Sequence, residues 1–171
     1  YKTLSRIRHP GVVEVYTCPT VEGLGPCIVA ELFDHPTLQE HLSHGGFEPA
    51  EVGVLLGRLL DAVAALHAAG VVHRDLKPAN VLYDRASGAV KVIDLGIARR
   101  RDATSHPTTR VGHGTPEIMA PEQMRGGEVS PATDVYALGL LARALYCGLG
   151  SLGWRHDDHS AAAIPEAMRP V

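Results

Sequence analysis

Cysteine is scarce. The 171 residues hold three, Cys18, Cys27 and Cys147, set too far apart for a paired metal knuckle and odd in number, which suits a reducing compartment better than a disulfide framework. They read as small packed hydrophobes, and a cytoplasmic placement is expected for this stretch, within a parent protein that can carry a membrane anchor elsewhere. An excess of charge of one sign is also lacking. Sixteen Lys and Arg stand against nineteen Asp and Glu, a formal net charge of -3, so no overall positive field exists to hold a nucleic acid or an anionic membrane, and neither partner is expected. Long apolar runs are missing: the most apolar stretch, 135–150, is shorter than the roughly 20 residues of a membrane span and carries Arg143, so it reads as a buried helix of a globular fold. No charged segment leads into an apolar one as in a signal peptide, and the chain opens on Tyr1, so it reads as an internal piece. No internal repeat is found. What remains is 45% hydrophobic and 20% charged, which excludes disorder and suffices for one domain with a buried core.

Leu4 and Ile7, followed by His9-Pro10-Gly11, read as the last turns of a helix, and Val12, Val13 and Val15 as the start of a strand. Residues 27–33, from Cys27 to Phe33, form a mostly apolar run of strand length stopped by Asp34-His35-Pro36. Thr37 is placed to cap a short helix carrying Leu38 and Leu42, with Gly45-Gly46 ending it. From Pro49 to Ala69 the apolar residues Val52, Leu55, Leu56, Leu59, Leu60, Val63 and Leu66 recur at three- and four-residue steps, with Gly70 just beyond, which predicts a long helix. A hairpin is predicted from Val81-Leu82-Tyr83 and Val90 to Ile93, flanking a polar turn. The basic, Ser/Thr-rich stretch 99–114 has no period and reads as a long exposed loop. Ser130-Pro131 opens a second long helix ending near Cys147. Beyond Gly148 no element is predicted.

Between the first long helix and the hairpin stands His73-Arg74-Asp75-Leu76-Lys77-Pro78-Ala79-Asn80, which matches the signature of a phosphoryl-transfer catalytic loop at every specified position. Asp94-Leu95-Gly96 follows nineteen residues after Asp75, then Gly114-Thr115-Pro116-Glu117-Ile118-Met119 and Ala120-Pro121-Glu122. One short motif is weak evidence, whereas several in order and in the right structural setting are strong. The ensemble resembles the eukaryotic-type, or Hanks-type, serine/threonine protein kinases, and among these the bacterial members.

The resemblance implies an α+β, protein-kinase-like fold with a mainly α-helical large lobe and a remnant of the β-rich small lobe. Residues 1–33 would be that remnant, comprising the end of its helix, two strands and the hinge, and 34–171 the large lobe, incomplete at its far end. It implies ATP and Mg²⁺ as cofactors and a protein with a Ser or Thr acceptor as substrate. Asp75 would orient the acceptor hydroxyl and take its proton, Lys77 would sit against the γ-phosphate, and Asn80 and Asp94 would hold the metal, as hard Mg²⁺ prefers oxygen ligands. Thr115 would hydrogen-bond Asp75 and Lys77. Ala30 would be the gatekeeper of the adenine slot, with the carbonyl of Glu31 and the amide of Phe33 facing the base and Leu82 and Ile93 closing it from below. His73 is implied to be a buried packing residue, in one spine with Leu4, Val15 and Leu95, and Asp134 the tether of the catalytic loop. Arg74 would pair with a phosphate on the long loop, at Thr108 or Thr109 in preference to Thr104 or Ser105.

Two positions depart from the family pattern: Leu95 replaces the commoner phenylalanine, and Ile118 the usual tyrosine beside the substrate. The glycine-rich strand pair, the strand lysine and the helix glutamate of a complete domain are not in this stretch, so the isolated segment is expected to have negligible phosphotransfer activity. Arg99-Arg100-Arg101 reads as a solvated start to the loop, and His156-Asp157-Asp158-His159, although able to ligate a metal, as an exposed turn. Two other functions stay open. A pseudokinase or kinase-like interaction module is disfavoured by the intact Asp75, Asn80 and Asp94, and a small-molecule phosphotransferase by the 114–122 segment.

Overall fold

The computed structural model describes residues 4–95 and 118–149. Thr115, the candidate phosphosites of the long loop, the arginine run and the 156–159 cluster lie outside the described residues. Leu4–Arg6 forms a single 3₁₀ turn, closed by Ile7 N donating to Leu4 O. The strands that follow are short. β1 (Val15–Thr17) pairs antiparallel with β4 (Val29–Ala30), and β2 (Thr20–Val21) pairs with β3 (Gly25–Pro26) in a small hairpin that the sequence pattern does not show.

Two expected strands are therefore trimmed. Of the run 27–33 only Val29 and Ala30 belong to a strand; it stops after Ala30, where the Glu31 carboxylate turns back to accept the Glu14 N–H at 2.8 Å in place of the backbone carbonyl. Val12 and Val13 do not start β1. They bridge instead to the second hairpin, with Val13 N donating to Val92 O and Val92 N to Gly11 O. Gly11 permits this approach, since a Cβ there would stand 2.8 Å from the Ala62 Cβ.

α1 (Leu38–Ser43) starts on a capping box: Thr37 Oγ1 accepts from Glu40 N, and the Glu40 carboxylate accepts from Thr37 N. Two orphan donors of the first turn are thereby satisfied. α2 (Pro49–Ala68) has proline in its first turn and ends where Gly70 takes a left-handed backbone, φ 71°, that a side chain would strain. Its buried stripe is Val52, Leu55, Leu56, Leu59, Ala62, Val63 and Leu66. Leu60 is not in it and is 54% exposed, because at 3.6 residues per turn it lies about 100° around the helix from the centre of that stripe.

The central hairpin joins β5 (Val81–Tyr83) to β6 (Val90–Val92) in the register Val81↔Val92, Leu82↔Lys91, Tyr83↔Val90; Ile93 falls just outside it. Glu51 of α2 pins the hairpin by accepting from Tyr83 Oη and both ends of Arg85. The Arg85 guanidinium holds the Glu51 carboxyl below its ordinary range, with the Tyr83 hydroxyl assisting. After α3 (Pro121–Met124), α4 (Pro131–Cys147) packs against α2. α4 is not buried all round, for Val135 and Tyr136 face solvent while Ala137, Leu138, Leu141, Ala144 and Leu145 are buried. The cysteines also differ from expectation: all three are free thiols of intermediate burial, not members of the core.

Candidate active site

The site is built on the chain between α2 and β5. Pro78–Asn80 forms a 3₁₀ turn that delivers Asn80 directly into β5. The first functional contact is a convergence: Lys77 Nζ lies 3.0 Å and Asn80 Nδ2 3.1 Å from the same oxygen, Asp75 Oδ2. Asn80 Nδ2 also donates to the Asp75 carbonyl at 2.8 Å. With its nitrogen so engaged, the Asn80 amide is oriented by its bonds, leaving its oxygen as the acceptor end. Ile93 N donates to Asn80 O at 3.0 Å, which brings Asp94, one residue on, to the end of the hairpin beside this turn. Asp94 is exposed and has φ 58°.

Left-handed backbone at a residue with a side chain costs of order 1 kcal/mol and persists only where the surroundings enforce it. Arg74 shows the same conformation, φ 70°, and here the enforcement is visible. Asp134, in the first turn of α4 and 0% exposed, accepts from Arg74 N through Oδ1 and from His73 N through Oδ2, each at 2.8 Å. His67 Nε2, from the last turn of α2, reaches the same Oδ2 at 2.8 Å. A carboxylate in the opening turn of a helix also meets the positive end of the helix dipole.

His73 is fully buried. Its Nδ1 accepts from Asp75 N at 3.2 Å, so its Nε2 carries the hydrogen and donates to Ile93 O at 2.9 Å. Burial pushes the imidazole below its ordinary pKa, against the smaller opposing effect of the bond to Ile93. Both ring nitrogens are thus committed to holding the loop, and His73 serves the structure rather than proton transfer. Leu4, Val15 and Leu95 are buried as well.

The expected nucleotide residues fall at the edge between the small strands and the central hairpin. Ala30 ends β4, Glu31 and Phe33 follow it outside any strand, and Leu82 and Ile93 lie in and after the hairpin; all five are half-buried. Glu31 N donates to Glu14 O at 2.9 Å and Phe33 O accepts from His35 N. The Lys91 ammonium from β6 reaches the Glu31 carboxylate, so the residue after β4 and the hairpin are joined by an ion pair. The Glu31 carboxyl lies below its ordinary range because the bonds from Lys91 and Glu14 N together outweigh the opposing desolvation, itself the largest single effect.

Among the described residues no cluster of three or more His, Cys, Asp or Glu forms an all-protein metal centre. Mg²⁺ in nucleotide sites commonly takes one or two protein oxygens and completes its shell with phosphates and water. The oriented amide oxygen of Asn80 and the exposed carboxylate of Asp94 are a donor set of that kind.

Three contributors escape sequence reading. His67 and Lys91 carry no local signal, since their partners lie 67 and 60 residues away. Gln123 does carry one: it is the third residue of a helix opened by Pro121, where a Gln reaches back to the preceding backbone N–H, and its Oε1 accepts from Ala120 N.

The family model described as the protein kinase domain matches residues 1–169. The chain belongs to the protein kinase family. It is 40% identical over 153 residues to serine/threonine-protein kinase PkaA of Streptomyces coelicolor, covering 88% of this chain and 28% of that protein. To serine/threonine-protein kinase PknL of Mycobacterium tuberculosis it is 38% identical over 148 residues, covering 86% of this chain and 37% of that protein. The crystal structure of the Mycobacterium tuberculosis PknI kinase domain superimposes with a TM-score of 0.69 at 26% identity, covering 86% of this chain and 54% of that one. The kinase-like α+β fold is therefore shown. The chain spans about a third of the length of these two relatives. No helix among the described residues is long and apolar enough to cross a membrane.

Proposed function

We propose that this chain is the catalytic part of an ATP-dependent protein serine/threonine kinase, with residues 1–33 belonging to the small lobe and 34 onward to the large one. The observation that carries the reading is the convergence of Lys77 and Asn80 on one oxygen of Asp75. A carboxylate fixed in this way is oriented to accept the hydrogen of an incoming Ser or Thr hydroxyl and to take its proton as the new P–O bond forms. On this reading Lys77 exchanges its bond with Asp75 for one to the transferred phosphoryl oxygen, supplying positive charge where negative charge is spread in the transition state. Magnesium bound with ATP, held by Asn80 and Asp94, would neutralise charge on the phosphates. Ala30, Glu31, Phe33, Leu82 and Ile93 would receive the adenine, the Glu31–Lys91 pair keeping hinge and floor in register. A need for ATP and three free thiols support a cytoplasmic site of action.

The test is Asp75→Asn in the complete protein, assayed for transfer of labelled phosphate to a Ser/Thr substrate. Loss of a positioned base is expected to reduce kcat by about 10²–10⁴-fold, with the unfolding midpoint unchanged. An Asp75→Asn protein that keeps the wild-type rate would refute the assignment.

A further inference from the structure

We infer that Gln123 is a positioning residue for Asp75, tying the backbone on the substrate side of the site to the peptide from which the base projects. The inference deepens the kinase reading and rests on it for the identity of the reaction. The peptide unit joining Arg74 to Asp75 is held at both of its polar atoms. Its N–H, that of Asp75, donates to His73 Nδ1 at 3.2 Å, and its carbonyl, that of Arg74, accepts from Gln123 Nε2 at 2.7 Å. The plane of this unit sets the direction in which the Asp75 side chain leaves the backbone. Because Arg74 is held in a left-handed conformation, the unit would relax toward commoner backbone angles once released.

The other end of the Gln123 amide is occupied too, Oε1 accepting from Ala120 N at 3.2 Å. Donor and acceptor are thus used with opposite polarity, a pairing that neither a carboxylate nor a thioether can make at both ends. Gln123 lines a shallow depression together with Asp75, Lys77, Ile118 and Met119. Glu122, the preceding residue, accepts from Thr133 Oγ1 at 2.6 Å, so α3 is itself anchored to the start of α4. Through Gln123 and Asp134 the catalytic loop is therefore held from α3 and from α4, on opposite sides of Arg74.

A plain helix-capping role is distinguished by two substitutions. Gln123→Glu retains the oxygen that accepts from Ala120 N but turns a second oxygen toward the Arg74 carbonyl. Gln123→Met removes both bonds at similar volume. Capping alone predicts that Gln123→Glu behaves as wild type and only Gln123→Met is impaired. Positioning predicts that both lower kcat, by about tenfold for one hydrogen bond's worth of orientation, with KM for ATP unchanged.

Both variants are made in the complete protein and assayed for phosphate transfer, and hydrogen exchange of segment 73–80 is followed in parallel by mass spectrometry. Faster exchange confined to that segment in Gln123→Glu, together with the kcat loss, supports the inference. Wild-type kcat and unchanged exchange in Gln123→Glu overturn it. If the wild type transfers no phosphate, the kinase reading falls, and the exchange measurement still decides whether Gln123 grips the loop: unchanged protection refutes the grip and lost protection upholds it.

Discussion

Replacing Asp134 by Asn changes no volume and tests how far the 73–80 loop depends on one buried carboxylate. The carboxylate accepts three hydrogen bonds, from Arg74 N to Oδ1 and from His73 N and His67 Nε2 to Oδ2, all at 2.8 Å. Asn has one acceptor oxygen. In its better orientation that oxygen keeps His73 N and His67 Nε2, while the new NH₂ group faces the Arg74 N–H, donor against donor. The lost bond was to a charged group, worth roughly 1.5–3 kcal/mol, and the buried N–H left behind adds a desolvation penalty of similar kind. The two surviving bonds lose their charge assistance. The expected destabilisation is about 3 kcal/mol, somewhat more than a hundredfold in the folding equilibrium. Denaturant unfolding of the complete protein measures it, with Asp61→Asn as control, because Asp61 lies on the exposed face of α2 and should change stability by less than about 0.5 kcal/mol. Asp134→Asn within that same margin of wild type would show that the three bonds do not hold the loop.

Two further outcomes follow from the packing and from the buried imidazole. Leu59→Ala should cost about 2–5 kcal/mol, since Leu59 is fully buried in the α2 stripe, whereas Leu60→Ala, one position along but exposed, should cost under about 0.5 kcal/mol; equal unfolding midpoints would contradict the observed face of α2. Burial lowers the His73 pKa in the folded protein, while the unfolded chain recovers an ordinary value near 6.5. Below that pH the unfolded state binds a proton that the folded state refuses. Stability is therefore fully present above about pH 6.5 and declines as pH falls toward the folded-state value, at up to about 1.4 kcal/mol per pH unit. Denaturant unfolding at several pH values should show this slope reduced in His73→Phe, and identical slopes would refute the argument.

Much of the site was legible because its parts are close in sequence. Asp75, Lys77 and Asn80 fall within six residues, and a short turn is enough to bring two side chains onto one oxygen. The helices were legible for a related reason: proline at the start, glycine past the end and apolar residues at three- and four-residue steps are all local marks. Strand lengths were less so. Whether Glu31 extends a strand or closes it depends on its carboxylate meeting Glu14 N, seventeen residues away, and no run of apolar residues encodes that. The exposure of Leu60 was illegible for a milder version of the same reason, since periodicity places a residue near a face but only the packed neighbours decide where the face ends.

By itself, then, the chain determined its two long helices, its central hairpin and the convergence of side chains in the 73–80 loop, all consequences of backbone geometry acting over one or two turns. Tertiary structure decided the rest: that Asp134 and His67 meet behind His73, that Lys91 reaches Glu31, and that Gln123 takes the carbonyl of Arg74. Those contacts join residues roughly fifty to seventy positions apart, and a hydrogen bond fixes its partners by distance and angle in space, quantities that spacing along a chain does not carry.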